Sequence, residues 1–291
     1  MYSLPNAKIN IGLRVVGKRP DGYHNLQTIF YPIPLTDSLE VKRAKHLRQP
    51  YEFILSGLPI PGGGNADDNL VVRVFMSMRD EFSLPPTSIF LCKHIPVGAG
   101  LGGGSSDAAA MMLLLCDYYE LDLTDAEIEQ RLAAFGADCP FFVRNKPVYA
   151  EGIGNQFTPI DFTLKGMYLV LVKPPIHIST AEAYAGLEIK DPPPAPPING
   201  GEQIAISQLI QDISLSPFTG ERGGGLLIND FEPSVFRRYP QIAAIKQTLY
   251  DMGATYASMS GSGSAVYGLF TRPIDNAPTI FPDCFTFAGK L

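Results

Sequence analysis

The sequence predicts a two-domain α+β protein, and three observations lead there. Strand-like alternation fills the first 43 residues, with little helical period. A strand pattern at Thr87 to Ile95 runs straight into a glycine-rich stretch and then a helix pattern. A chain of 291 residues also exceeds the usual size of one core.

In order, residues 7 to 16 (AKINIGLRVV) alternate and carry β-branched side chains, the mark of a strand. Lys18-Arg19-Pro20-Asp21-Gly22 supplies the residues of a turn. Residues 25 to 34 and 38 to 43 read as further strands. Residues 69 to 81 read as a helix with Val72, Phe75 and Met76 on one face. After the glycine-rich stretch, residues 106 to 119 (SDAAAMMLLLCDYY) form a helix, with Ser and Asp placed as caps. Thr124 and Glu127 form a capping box for a helix over Asp125 to Phe135, stopped by Gly136. Gly152 to Pro159 is turn-rich, so the boundary is set there, giving domains 1–155 and 156–291. Residues 167 to 173 read as an apolar strand. Residues 241 to 252 read as a helix facing Ile242, Ile245, Leu249 and Met252 inward and closed by Gly253. Ala265 to Phe270 reads as a strand. The Asp191 to Pro197 run is a stiff polyproline-type loop, and Gly220 to Gly225 is a second loose stretch.

Composition narrows the function. With 45% hydrophobic and 18% charged residues the chain is an ordinary globular protein. A net charge of −6 and no basic stripe exclude a nucleic-acid polymer as partner. No apolar run reaches the roughly 20 residues needed to cross a bilayer, and the first residues do not read as a signal peptide. The expectation is a cytoplasmic protein, monomer or homodimer. Cys92, Cys116, Cys139 and Cys284 lack metal-ligand spacing and read as reduced core thiols. No structural metal is expected.

The chemistry concentrates in Pro96-Val97-Gly98-Ala99-Gly100-Leu101-Gly102-Gly103-Gly104-Ser105-Ser106. Glycines let successive backbone amides curl around an anion, and the next helix points its positive end at the same place. Ser105 and Ser106 add hydroxyls for a phosphate or a magnesium ion. A bare Gly/Ser connector is the competing reading, and the tight strand-loop-helix setting weighs against it. Gly98 to Gly103 also satisfies G-x-G-x-x-G formally. A dinucleotide fold needs a strand and an acidic residue about 20 positions further on, where residues 121 to 135 are helical. No Lys follows the glycines, so the G-x-x-x-x-G-K-[ST] loop is absent.

Pro96 to Ala110 resembles the central motif of the galactokinase, homoserine kinase, mevalonate kinase and phosphomevalonate kinase superfamily. Four more stretches narrow the resemblance to its 4-diphosphocytidyl-2-C-methyl-D-erythritol kinase family: Ala7 to Asn10 with Gly17 to Thr28, Gly136 to Phe142, Glu151 to Gly154, and Ser258 to Ser264. The resemblance implies an N-terminal ribosomal-protein-like α/β domain that binds ATP, and a C-terminal ferredoxin-like domain closing a substrate cleft. It implies transfer of the γ-phosphate of ATP, with magnesium delivered on the nucleotide, to the 2-hydroxyl of a cytidine-diphosphate-linked methylerythritol. By the same resemblance Asp138 takes the hydroxyl proton, and Lys8 holds that aspartate charged and orients the nucleophile. Tyr23, His24 and Tyr184 would read the cytidine, with Asn10, Thr180, Gly261 and Ser262 also on the substrate. Asn69, Leu70 and Lys93 would line the adenine pocket. Singly, each has a plainer structural reading: a helix cap for Asp138, a surface lysine for Lys8, a hairpin turn for Tyr23-His24, core for Leu70. Other kinases of the superfamily, for homoserine or mevalonate, and a non-catalytic nucleotide-binding module are the alternatives.

Asp107 follows the paired serines as an early-helix acid suited to the helix dipole, and is expected to face away from the loop. Asp107→Asn should then leave the KM for ATP nearly unchanged in steady-state kinetics. A large fall in KM would place the carboxylate in the nucleotide pocket.

Overall fold

The structure, a computed structural model, describes residues 1–60, 65–187 and 227–291. The proline-rich run at 191–197 and the glycines of 220–225 lie outside the described residues. The fold is α+β, and its contacts divide it into two compact units. One comprises Met1–Lys8, Pro32–Val97 and Gly102–Lys146; the other Ile9–Tyr31, Gly98–Leu101 and Pro147–Leu291. The single boundary expected at 155 is thus replaced by an interleaved division, because the paired strands at the N-terminus run through both units.

In the first unit a four-stranded sheet has the order β1 (Tyr2–Ser3), β4 (Ser38–Arg43), β6 (Thr87–Lys93), β5 (Tyr51–Gly57). β4 pairs antiparallel with β6, Leu39 opposite Leu91 and Val41 opposite Ile89; β5 runs parallel to β6. These paired residues are buried, whereas Glu40, Lys42 and Arg43 of β4 are not. Helix α1 (Leu70–Phe82) buries Val71, Val72, Val74, Phe75 and Met78. Helix α2 (Gly103–Tyr119) is apolar on most of its surface, with Ala108 to Met112, Leu114 and Leu115 all buried.

Helix α2 begins three residues before the sequence expectation. Its N-cap is Gly102 in the left-handed region, with no side-chain cap bond, so Ser105, Ser106 and Asp107 are inside the helix and not its caps. Tertiary packing overrides the poor helix propensity of Gly103 and Gly104. A Cβ at Gly103 would meet Ile95 Cγ2 at 2.8 Å, so the helix can start here only on a bare backbone. Helices α3 (Asp125–Leu132) and α4 (Phe141–Arg144) complete the unit.

In the second unit the sheet order is β10 (Tyr256–Met259), β11 (Val266–Phe270), β9 (Tyr168–Lys173), β12 (Phe285–Lys290), antiparallel throughout. The apolar run of β9 is accounted for by its inner place: Leu169 to Val172 are fully buried. Val170, Val172, Val266 and Phe270 meet Ile242, Ile245 and Leu249 of helix α7 (Pro240–Asp251) in one core, joined by Phe231 and by Val235 of helix α6 (Glu232–Arg238). Helix α5 (Thr180–Ala185) follows β9, and helix α8 (Ala277–Ile280) precedes β12. A third sheet has the order β2 (Asn6–Lys18), β3 (His24–Thr36), β7 (Val148–Glu151), β8 (Gln156–Pro159). The stretch read as turn-rich is therefore a hairpin, with Val148 opposite Pro159. Cys139 is buried, while Cys92, Cys116 and Cys284 are only half-buried, and all four are free thiols.

The capping box on α3 forms as read. Thr124 Oγ1 accepts from the Glu127 amide at 3.3 Å, and Glu127 accepts from the Thr124 amide at 2.8 Å. Thr124→Ala should lower the thermal midpoint by roughly 2–4 °C. Calorimetry showing no shift would mean that α3 draws no stability from its cap.

Candidate functional site

The glycine-rich loop takes its shape from the alternating sign of φ. Gly98, Gly100 and Gly102 sit at +64°, +77° and +68°, while Val97, Ala99 and Leu101 stay at negative φ. Such alternation points successive amides toward one concavity, which suits an anion. The loop leads directly into α2, whose first amides have no intrahelical partner; the first such bond runs from the Ser106 amide to the Gly102 carbonyl, 2.9 Å. Gly100 is required twice over: by its φ, and because a Cβ there would lie 1.9 Å from the Ser260 carbonyl oxygen.

In the second unit the loop centre meets the second glycine turn. Ser260 Oγ donates to the Gly100 carbonyl at 2.9 Å, and the Ala265 amide donates to the Ala99 carbonyl at 3.4 Å. Asn10, almost wholly buried, lies in the same place. Its amide donates to Ser260 Oγ, its Nδ2 donates to Thr28 Oγ1 at 3.1 Å, and its Oδ1 faces Gly261. Ser262 follows, half-buried. His24 stacks on Tyr184, ring centroids 4.8 Å apart and planes 18° apart, and Tyr184 meets Phe231 edge-on. Tyr23 is 62% exposed next to this stack in sequence, its amide bonded to Asp21. Thr180 is exposed as the first residue of α5, behind its cap Ser179.

In the first unit Lys8 and Asp138 come together. Lys8 Nζ is 3.3 Å from Asp138 Oδ2, with the lysine side chain buried and the aspartate one-third exposed. The Lys8 stem runs against the loop: a Cβ at Gly102 would lie 3.1 Å from Lys8 Cγ and 3.2 Å from its Cε. Beside Asp138, burial pushes the Cys139 thiol up to about 11, and a hydrogen bond with Ser105 pulls against it. This thiol is a packing group, not a nucleophile.

Three residues expected at the adenine sit differently from a simple pocket lining. Asn69 caps α1, its Oδ1 accepting from the Val71 amide at 3.0 Å. Leu70, half-buried, lies under Gly104, its Cδ1 3.9 Å from where a Cβ would be. Lys93 is 2% exposed, with its ammonium between Asp37 and Asp107. Burial alone would lower the Lys93 pKa, but the two carboxylates outweigh it and raise it. Burial pushes Asp107 up to about 7, with Lys93 opposing and the Asp37 charge assisting. Asp107 Oδ1 is buried without a hydrogen-bond partner among the described residues.

Comparison with known proteins establishes the family. Family models for the GHMP kinases N terminal domain and the GHMP kinases C terminal match residues 69–146 and 219–278. A 4-diphosphocytidyl-2-C-methyl-D-erythritol kinase of Bacteroides fragilis is 46% identical over 291 residues, covering all of both chains. One from Bacteroides thetaiotaomicron is 47% identical over 295, again end to end. The chain belongs to the 4-diphosphocytidyl-2-C-methyl-D-erythritol kinase family of GHMP kinases. A crystal structure of a 4-(cytidine 5'-diphospho)-2C-methyl-D-erythritol kinase agrees in fold, with a TM-score of 0.77 at 28% identity over 99% of this chain and 98% of that one. As a member of this kinase family the chain is a phosphotransferase with an alcohol acceptor, and its α+β fold is the one the motifs implied. Among the described residues no helix is long and apolar enough to cross a membrane.

Sequence reading of this kinase missed several residues that shape the site. Asn229, 1% exposed, donates from Nδ2 to the carbonyls of Met259 and Gly261, both at 2.8 Å. Its Oδ1 accepts from the Phe231 amide two residues on, an Asx turn that an Asn before a helix can signal, but its long-range bonds have no such signal. Buried Glu232 accepts from the Met259 amide at 2.8 Å and pairs with Lys246 at 2.6 Å. The ring of His177 covers Gly98, its Cε1 2.8 Å from where a Cβ would be. Asp37 has no local signal, lying between two strand patterns.

Folded Asp107 keeps its proton up to about pH 7, whereas an unfolded aspartate releases it near 3.8. Between those values the folded state binds more protons, so this group's contribution to stability falls as pH rises through the window. Asp107→Asn should remove that slope. Denaturant midpoints at about pH 5 and about pH 8 measure it; an unchanged difference between the two pH values in the variant would assign the slope to other groups.

Proposed function

We propose that this chain phosphorylates the 2-hydroxyl of 4-diphosphocytidyl-2-C-methyl-D-erythritol with ATP, a step of the non-mevalonate isoprenoid precursor pathway. The observation that carries the reading is Lys8: its stem lies on Gly102 of the phosphate loop, and its ammonium is 3.3 Å from Asp138. One side chain thus links the anion cradle to a partly exposed carboxylate, the group a hydroxyl nucleophile needs. The names of the full-length relatives supply the acceptor.

In this reading the amides of the loop from Pro96 to Ser106 and the α2 N-terminus hold the triphosphate. Asp138 accepts the proton of the 2-hydroxyl as its oxygen bonds to the γ-phosphorus. The bond from that phosphorus to the β,γ-bridging oxygen breaks, and ADP leaves. Lys8 orients the hydroxyl and offsets charge gathering on the equatorial oxygens. Magnesium carried on the triphosphate would supply further neutralisation of that charge, and no protein ligand is assigned to it. His24, Tyr184 and Tyr23 take the cytosine by stacking and edge hydrogen bonds, with Asn10, Thr180, Gly261 and Ser262 near the rest of the substrate. Asn69, Leu70 and the backbone about Lys93 border the adenine. The N-terminal part serves ATP and catalysis, the C-terminal part the acceptor, in a cytoplasmic monomer or homodimer.

A coupled ADP-release assay with the cytidine-diphosphate substrate, mevalonate and homoserine tests the acceptor. Turnover should be confined to the first; mevalonate or homoserine turnover would mean another kinase of the superfamily, and none at all a binding module. Asp138→Asn should lower kcat by roughly 10²- to 10⁴-fold with the ATP Kd unchanged. Retention of turnover in that variant would remove Asp138 from the chemistry.

A further inference from the structure

We propose that Asp37, Lys93 and Asp107 form a positioning clamp that holds the two ends of the phosphate loop at a fixed spacing and so sets its affinity for a triphosphate. The proposal rests on the reading of the loop as the ATP cradle.

All three side chains are in the first unit and almost fully buried. Lys93 is the last residue of β6, and its ammonium bonds both to Asp37 Oδ2 and, at 2.5 Å, to Asp107 Oδ2. Asp37 Oδ1 accepts the backbone amides of His94 and Ile95, the latter at 2.8 Å. Those two residues lead into Pro96, where the loop begins. Asp107 stands just after Ser106, where it ends. One buried cluster therefore grips the chain immediately before and immediately after the loop.

The grip on α2 also fixes rotation. Asp107 lies one turn into the helix, and its bond to Lys93 determines which way the unpaired amides of Gly103, Gly104 and Ser105 aim. The close packing of Gly103 on Ile95 sets the distance of approach. Two carboxylates sharing one ammonium away from water is a poor way to gain stability, since apolar residues of like volume commonly do as well or better. Geometry is what the cluster provides that an apolar core would not. The orphaned Asp107 Oδ1 fits this view: the carboxylate is held by one oxygen only, aimed at Lys93.

Calorimetric titration of the full chain with ATP and steady-state kinetics test the clamp. Asp107→Ala should raise the Kd and KM for ATP roughly 10- to 100-fold, as a misplaced binding group does. The KM for the alcohol substrate should stay within about twofold. Asp107→Asn, which keeps an oxygen for Lys93, should restore ATP binding. The triple variant Asp37→Asn, Lys93→Met, Asp107→Leu removes the buried charge and should recover the thermal midpoint, yet still bind ATP weakly. Wild-type ATP affinity in the triple variant overturns the clamp, as does wild-type affinity in Asp107→Ala should the triple variant fail to fold. Equal loss of affinity for both substrates also overturns it. If the unaltered chain binds no ATP, the reading of the loop falls, and the clamp with it.

Discussion

A loop built largely from glycine cannot hold its own shape, and everything proposed for this chain depends on it doing so. Glycine permits the alternating φ signs that turn amides into an anion cradle, and for the same reason leaves the backbone the greatest freedom to abandon them. The structure supplies stiffness from outside. Within the second unit, Ser260 binds the Gly100 carbonyl from a distance too short for any side chain at Gly100. Within the first, the Lys8 stem and Phe142 lie on Gly102, and Ile95 lies on Gly103. The glycines are thus needed both for their φ and because the supporting groups come closer than a Cβ would allow.

That second requirement explains the local order of the site. Lys8 lies on the loop with its methylenes and meets Asp138 with its ammonium, so its two ends do different work. A long aliphatic stem buried under a charged head is an ordinary arrangement for lysine. The glycine turn at Ser260 to Gly263 is held likewise: Asn229 donates to carbonyls on both sides of Ser260, and Glu232 accepts the Met259 amide. Neutral and charged side chains are used in this protein as struts for backbone that has no regular partners of its own.

Much of this was legible in the sequence, and what was missed has a common cause. The strand patterns at residues 7 to 16 and 38 to 43, the capping box at Thr124 and Glu127, and the apolar run of β9 are local signals, and the structure returns them with boundaries shifted by a few residues. The family motif located Lys8 and Asp138, and their side chains meet. The α2 start was misplaced because Ser105 and Asp107 are good caps by type, while tertiary packing at Gly103 decided the boundary. Asn229 makes a local turn with Phe231, but its bonds to Met259 and Gly261 span 30 residues or more and have no local trace. The short strand at Gln156–Pro159 fell inside the stretch read as turn-rich, and its partner Val148–Glu151 was not read as a strand, because four-residue strands give too little alternation to outweigh nearby glycines.

Lys93 has its charge committed inside the protein. It ends a strand three residues before the glycine-rich loop. The structure commits its ammonium to two carboxylates and leaves it 2% exposed. Were it to swing toward a nucleotide, Asp37 and Asp107 would be left as buried acid groups without the donor they share, and unpaired buried polar groups are costly. Its positive charge is therefore spent locally, and in the proposed reading the attraction of the loop for phosphate comes from backbone amides, the α2 terminus and Lys8. A cradle made this way has little net charge of its own, so its affinity depends on how accurately its dipoles are aimed. If the loop is the proposed cradle, rigidity at its two ends is then a condition of binding and not an accessory to it.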